Sequence, residues 1–338
     1  MIKDILRLIR IKNLVFLSVF QIILYFGVLD PIFQKYGMSE ILNGWQFLLL
    51  GLCVVFTAAS GYVINDYYDV KIDMINRPKK VIVGNTIDRH TVMTIYIVLA
   101  IIGIAFGVAL TFWLKSYTMI FVFLLVPGLL WFYSSGYKRQ FLLGNIIIAL
   151  CTYMVPFLFG YVSDKILHLH YDSITELGGF FMNLVNHVCQ EIYIWMFAFA
   201  FFAFALTLIR EIVKDQEDII GDSEMECRTL PIVWGIKKTK TTIVFLSIAT
   251  IIGVLYASHN IPFFETDKIS FQYAIFMIAL PLLSVIYLVI QANCKKSWEQ
   301  ISTFLKCIMA AGCLYTLVIC YLYALNYDTT IFNLFSIK

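Results

Sequence analysis

The sequence predicts an all-α membrane protein, a polytopic bundle of nine transmembrane helices arranged as two related halves. Three observations carry this. Hydrophobic residues make up 61% of the 338 and charged residues only 14%, against about 45–50% and about 25% in soluble domains. A soluble chain this apolar would expose large patches and aggregate. Nine stretches approach the roughly 20 apolar residues that a spanning helix needs. Finally, Lys and Arg fall strongly to one side of the alternation those stretches impose.

The expected spans cover about 14–29, 46–66, 91–113, 117–136, 141–162, 194–214, 240–257, 271–292 and 303–325. The opening run MIKDILRLIRIKN is basic, like the start of a signal peptide, but no small-residue cleavage site follows residues 14–29, so this reads as a retained first span. With nine spans and the N-terminus inside, 20 basic residues lie on the inner side and 5 on the outer. The expectation is one domain over 1–338 in a cell membrane of the bacterial inner-membrane type, with N-terminus and site facing the cytoplasm. A long outer segment, 163–193, reads as an insertion, and its stretch 179–188 as a helix lying along the membrane surface. A net charge of only +3 gives no reason to expect nucleic acid, and nothing indicates an obligate protein partner beyond the lipids themselves. None of the eight cysteines forms a CxxC pair, so they read as small buried hydrophobes rather than a zinc or disulfide framework. His168 and His170 form an HxH pair on the outer side.

Two acidic clusters stand out. Asn65-Asp66-Tyr-Tyr-Asp69-Val-Lys-Ile-Asp73 ends the second span, and Asp215-Gln-Glu-Asp218-Ile-Ile-Gly-Asp222 ends the sixth, 149 residues later. In both, aspartates recur at i, i+3 and i+7, which on a helix places three carboxylates on one face. Such stripes repel one another unless cations join them. Mg²⁺ prefers oxygen ligands and takes one or two carboxylates plus substrate phosphates. Two facing stripes therefore suit Mg²⁺ ions with a diphosphate between them, inside an apolar bundle that keeps water from a reactive carbon. Basic neighbours offer anion contacts: Arg77 after the first cluster, Arg210, Lys214 and Arg228 around the second. Tyr133-Ser-Ser-Gly-Tyr-Lys138 adds a third inner site, with Lys138 toward phosphate and Tyr133 lining the cavity. Arg10 and Asn13 sit at the mouth of the first span, where Asn13 is a further candidate contact and capping or snorkelling is an equal reading.

The run NDYYDVKIDMINRP, Asn65 to Pro78, resembles the first signature of the UbiA-type prenyltransferases, and REIVKDQEDIIGD, Arg210 to Asp222, resembles the second. Tyr133 to Lys138 is similar to the motif between them. The resemblance runs along nearly the whole chain. It implies a nine-helix fold, two divalent cations and an inner-leaflet site, with Asn65 and the six aspartates Asp66, Asp69, Asp73, Asp215, Asp218 and Asp222 at the metal–diphosphate and Arg77, Lys138 and Arg228 on diphosphate. CRTLPIVWG, Cys227 to Gly235, looks most like the branch of geranylgeranylglycerol-phosphate geranylgeranyltransferases. The donor would be a polyprenyl diphosphate; the acceptor, a prenylglycerol phosphate or an aromatic ring of quinone or haem synthesis, stays open. The alternative from another class is a cation-coupled transporter, which the absence of a midplane carboxylate disfavours.

Overall fold

Helices account for almost everything in the computed structural model, which describes residues 2–38, 44–171, 179–260, 264 and 267–336. A short α1 (Ile2–Leu8) leads into α2 (Ile11–Lys35), followed by α3 (Trp45–Asn76), α4 (Arg89–Trp113), α5 (Met119–Ser135), α6 (Leu143–Tyr171), α7 (Gly179–Glu217), α8 (Ile219–Glu224), α9 (Leu230–His259), α10 (Lys268–Gln291) and α11 (Lys295–Tyr327). A two-residue ribbon, β1 (Thr330–Ile331) with β2 (Phe335–Ser336), closes the described chain.

Eight of these helices are long and apolar enough to cross a membrane. The helix over the fourth expected span, α5, is apolar but has only 17 residues. The protein is thus an all-helical integral membrane bundle. Its outward surface suits hydrocarbon: Ile101, Phe245 and Ile252 are all more than 60% exposed. Inside, one apolar cluster gathers Phe33, Phe159, Trp195 and Tyr323, and a second joins α7, α9, α10 and α11 through Leu206, Val285 and Leu305.

The outer segment differs from its sequence reading. Residues 163–171 complete α6, and 179–193 open the 39-residue α7; 172–178 lie outside the described residues. The stretch 179–188 is therefore not a separate surface helix but continues without a break into a span. Its apolar residues Val185 and Val188 are buried against the bundle core, which is where their hydrophobicity goes.

Local chemistry fixes the helix ends around the acidic clusters. Pro78 disfavours the helical conformation in the residue before it, and α3 stops at Asn76 with Arg77 at φ −148°. Asp88 caps α4 by accepting from the Thr91 N–H at 3.0 Å. Pro231 occupies the first turn of α9, where its missing N–H costs nothing.

Candidate active site

The first cluster is built as the sequence predicts. The whole run from Asn65 to Asp73 lies on α3, and Asn76 extends the same helix face by a further i+3 step. Arg10 sits in a left-handed turn (φ 52°) between α1 and α2. Its Nη2 donates to Asp66 Oδ1 at 2.8 Å, and its guanidinium stacks 4.9 Å over the Tyr62 ring. Lys138, in the tight turn after α5, forms an ion pair with Asp69 and donates to Asn65 Oδ1 at 3.5 Å.

The second cluster departs from expectation. Asp215 belongs to α7, but that helix ends at Glu217; Asp218 adopts φ −100° and ψ 8°, and Asp222 belongs to α8. The three carboxylates are not one continuous stripe. The physical reason is the bonding that crosses from the first cluster. Arg77 Nη2 donates to both Asp218 carboxylate oxygens, at 3.0 and 2.9 Å, and to Glu217 Oε1 at 2.6 Å. The Asn76 amide donates to the Asp218 carbonyl at 3.2 Å and accepts from the Gly221 N–H at 3.1 Å. A Cβ at position 221 would collide with that amide, so only glycine lets the two motif segments approach this closely. Lys295 Nζ braces the junction on the Asn76 carbonyl at 3.0 Å.

Charge is unevenly matched across this region. Asp66, Asp69 and Asp218 each meet a cation. Asp215 accepts from Asn145 Nδ2 at 2.9 Å, while among the described residues Asp73 and Asp222 form no ion pair. Asp73 instead faces the like charges of Asp69, Asp66 and Asp218 with Arg77 opposing them. Burial, then Asp218 and Asp69, pushes the Asp222 carboxyl up to about 7. Burial also works against the Arg77 charge, but Asp218, Glu217 and Asp73 outweigh it and raise its pKa. An all-oxygen donor set with uncompensated carboxylates fits a hard divalent cation such as Mg²⁺.

The remaining predicted residues divide. Tyr133 is drawn into the same electrostatic neighbourhood as Glu211, Asp69, Asp215 and Arg10. Arg210 and Lys214 both bind Glu211, at 2.7 and 3.1 Å, so they are engaged with a neighbour rather than with the aspartates. Arg228 is exposed, and its backbone N–H donates to the Arg139 carbonyl at 2.8 Å. Asn13 is exposed on the first turn of α2; its neighbour Arg10 reaches Asp66 in its place. Sequence reasoning passed over Asn76 and Asn145. Asn76 was findable, because it continues the helical spacing of the aspartates. Asn145 carried no signal beyond a polar residue in an apolar span.

Comparison with known proteins decides the family. The UbiA prenyltransferase family matches residues 33–308. The chain belongs to the UbiA prenyltransferase family. As a family member it is a prenyltransferase. Curated relatives include the digeranylgeranylglyceryl phosphate synthase of Methanosphaera stadtmanae, 31% identical over 78% of this chain and 83% of that protein. The synthase of the same name from Sulfurisphaera tokodaii is 28% identical over 85% and 88%. Among solved structures, one concerning digeranylgeranylglyceryl phosphate synthase in membranes has a TM-score of 0.59 at 25% identity, covering 94% of this chain and 98% of its own. A UbiA homologue from Archaeoglobus fulgidus, bound to GPP and Mg²⁺, shares the fold with a TM-score of 0.54 at 15% identity, covering 94% and 99%.

Proposed function

We propose that this protein transfers a geranylgeranyl group from its diphosphate to the hydroxyl of geranylgeranylglyceryl phosphate, on the cytoplasmic side of the membrane. The observation that carries the reaction type is the pair of aspartate clusters held face to face by Arg77 and Asn76 with more negative charge than their cations balance. The acceptor follows from the relatives, which are synthases of digeranylgeranylglyceryl phosphate. In this reading α5 is the ninth span, which places the termini on opposite sides, and each half of the chain delivers one acidic cluster to a shared mouth.

The residues divide the work. Asn65, Asp66, Asp69 and Asp73 on one side, with Asp215, Asp218 and Asp222 on the other, would hold Mg²⁺. Bound there, the metal supplies charge stabilisation for a diphosphate leaving an allylic carbon. Lys138, Arg77 and Arg10 are already on the carboxylates and turn to the outer diphosphate oxygens when substrate enters. Arg228, exposed beside them, and Asn13 approach the headgroups. Tyr133 closes the cavity on its apolar side, where exclusion of water protects the cation. Arg210 and Lys214 hold Glu211 in place.

Purified protein in detergent, given geranylgeranyl diphosphate and Mg²⁺, is tested with geranylgeranylglyceryl phosphate and separately with 1,4-dihydroxy-2-naphthoate, following diphosphate release and product mass. Transfer to the glyceryl phosphate alone supports the proposal. Transfer to the aromatic acceptor alone reassigns the branch.

A further inference from the structure

A second group of metal-ligating side chains lies at the other end of the bundle. We propose that Asp164, His168 and Cys189 form a site for a divalent cation of the zinc type, clasping α6 to α7. Their carboxylate oxygen, imidazole nitrogen and sulfur all lie within 4.8 Å of one another. His168 Nε2 stands 3.5 Å from Asp164 Oδ1 across one helical turn, and the Cys189 sulfur lies within 4.8 Å of both groups from the facing helix. In a tetrahedral zinc site, bonds of about 2.0–2.3 Å put ligand atoms roughly 3.3–3.8 Å apart, so side-chain rotation alone closes the group.

Helix packing explains why the three meet. At Gly160 a Cβ would stand 3.0 Å from Met196 Cγ, so α6 and α7 run antiparallel in close contact there. One and two turns further along α6 come Asp164 and His168; two turns back along α7 comes Cys189. The site is part-buried: Cys189 is 7% exposed, and the Asp164 and His168 side chains 15% and 33%. Three protein ligands leave one position for water. The donor set also selects the ion. Thiolate and imidazole favour zinc over magnesium, the reverse of the all-carboxylate site about 30 Å away, 19 residues or more along α6 from Asn145. Binding forms a sulfur–metal bond and releases the thiol proton to water. Lys165, which pairs with Asp164 at 3.5 Å and is 34% exposed, has the reach to withdraw into solvent. The absence of a CxxC pair concealed this group, since its ligands come from two helices.

Cobalt distinguishes the two sites, because among the described residues only this group brings a sulfur within 4.8 Å of two further ligand atoms, and Cys227, beside Asp222, remains in the Cys189→Ser control. Metal-stripped full-length protein in detergent is titrated with Co²⁺ and the near-ultraviolet sulfur-to-cobalt charge-transfer band recorded. One equivalent should produce the band, and Zn²⁺ should displace it. Cys189→Ser should abolish it, and His168→Ala, whose side chain is one-third exposed, should weaken binding by about 10- to 100-fold. Asp66→Ala should leave it intact. No band with wild-type protein, a band that survives Cys189→Ser, or one lost in Asp66→Ala overturns the proposal.

Discussion

The two ends of the bundle treat buried carboxylates in opposite ways. At the end away from the acidic clusters Glu191 is 1% exposed, yet its carboxylate is well supplied with partners. Lys35 lies 2.9 Å away, Tyr36 donates at 2.7 Å, Tyr323 donates as well, and Trp195 Nε1 fixes the Tyr323 hydroxyl at 3.0 Å. Lys35 is further held 4.2 Å above the Tyr327 ring. The acid, its base and a ring of donors tie α2, α7 and α11 together. At the end that holds the acidic clusters six aspartates share too few cations, and Asp73 and Asp222 form no ion pair among the described residues. A balanced carboxylate in a low-dielectric interior is a fastening. An unbalanced group of them is a site waiting for positive charge.

That contrast can be broken or sharpened by four measurements. The largest effect is expected at the acidic clusters: Asp66→Ala and Asp218→Ala should each lower kcat for prenyl transfer by about 10³-fold or more, while Glu191→Gln changes it less than about threefold. Abolished transfer in a folded Glu191→Gln protein would erase the distinction. Next comes Glu191→Ala, which removes the carboxylate shared by Lys35, Tyr36 and Tyr323 and should destabilise the protein by about 3–5 kcal/mol, read as a lower thermal midpoint that Mg²⁺ does not restore. Third, Mg²⁺ at a hundredfold excess over its Kd should stabilise the wild type by about 2.7 kcal/mol; Asp222→Asn should show a clearly smaller shift, and an equal one would remove Asp222 from the metal site. The smallest effect is expected for Asn76→Ala, about a tenfold loss in kcat, since misplacing a site by a fraction of an ångström costs on that order. The thermal midpoint should stay within a few degrees; a drop as large as that of Glu191→Ala would make Asn76 purely structural.

Periodicity and apolar length were enough to locate every long helix, because in hydrocarbon each backbone group must be satisfied within its own helix and tertiary context has little room to override the pattern. The first acidic cluster was legible for the same reason: it continues a helix that nothing interrupts until Pro78. The second was legible in composition but not in shape. Its break at Asp218 depends on Arg77 and Asn76, which arrive from 140 residues away or more in the chain. Local spacing carries no trace of such bonds. Arg10 was similarly ambiguous, since a basic residue at the mouth of a span is ordinary; only the left-handed turn before α2 aims it at Asp66. The outer segment misled because 179–188 is amphipathic enough to suit an interface, and only the buried contacts of Val185 and Val188 place it inside the bundle.

The length of α7 has a consequence for where the chemistry happens. Its 39 residues extend about 58 Å at 1.5 Å per residue, nearly twice the roughly 30 Å of hydrocarbon in a bilayer. A helix of that length must reach beyond the hydrocarbon or tilt strongly within it, and Asp215 lies on its last turns with the hinge at Asp218 just past its end. In the proposed reaction both lipids carry their reactive ends at headgroup height, so helix ends that pass the hydrocarbon would meet them there while the tails stay dissolved below. The bilayer thus serves as a ruler for the reaction plane, and a thicker or thinner membrane changes the height at which the carboxylates wait.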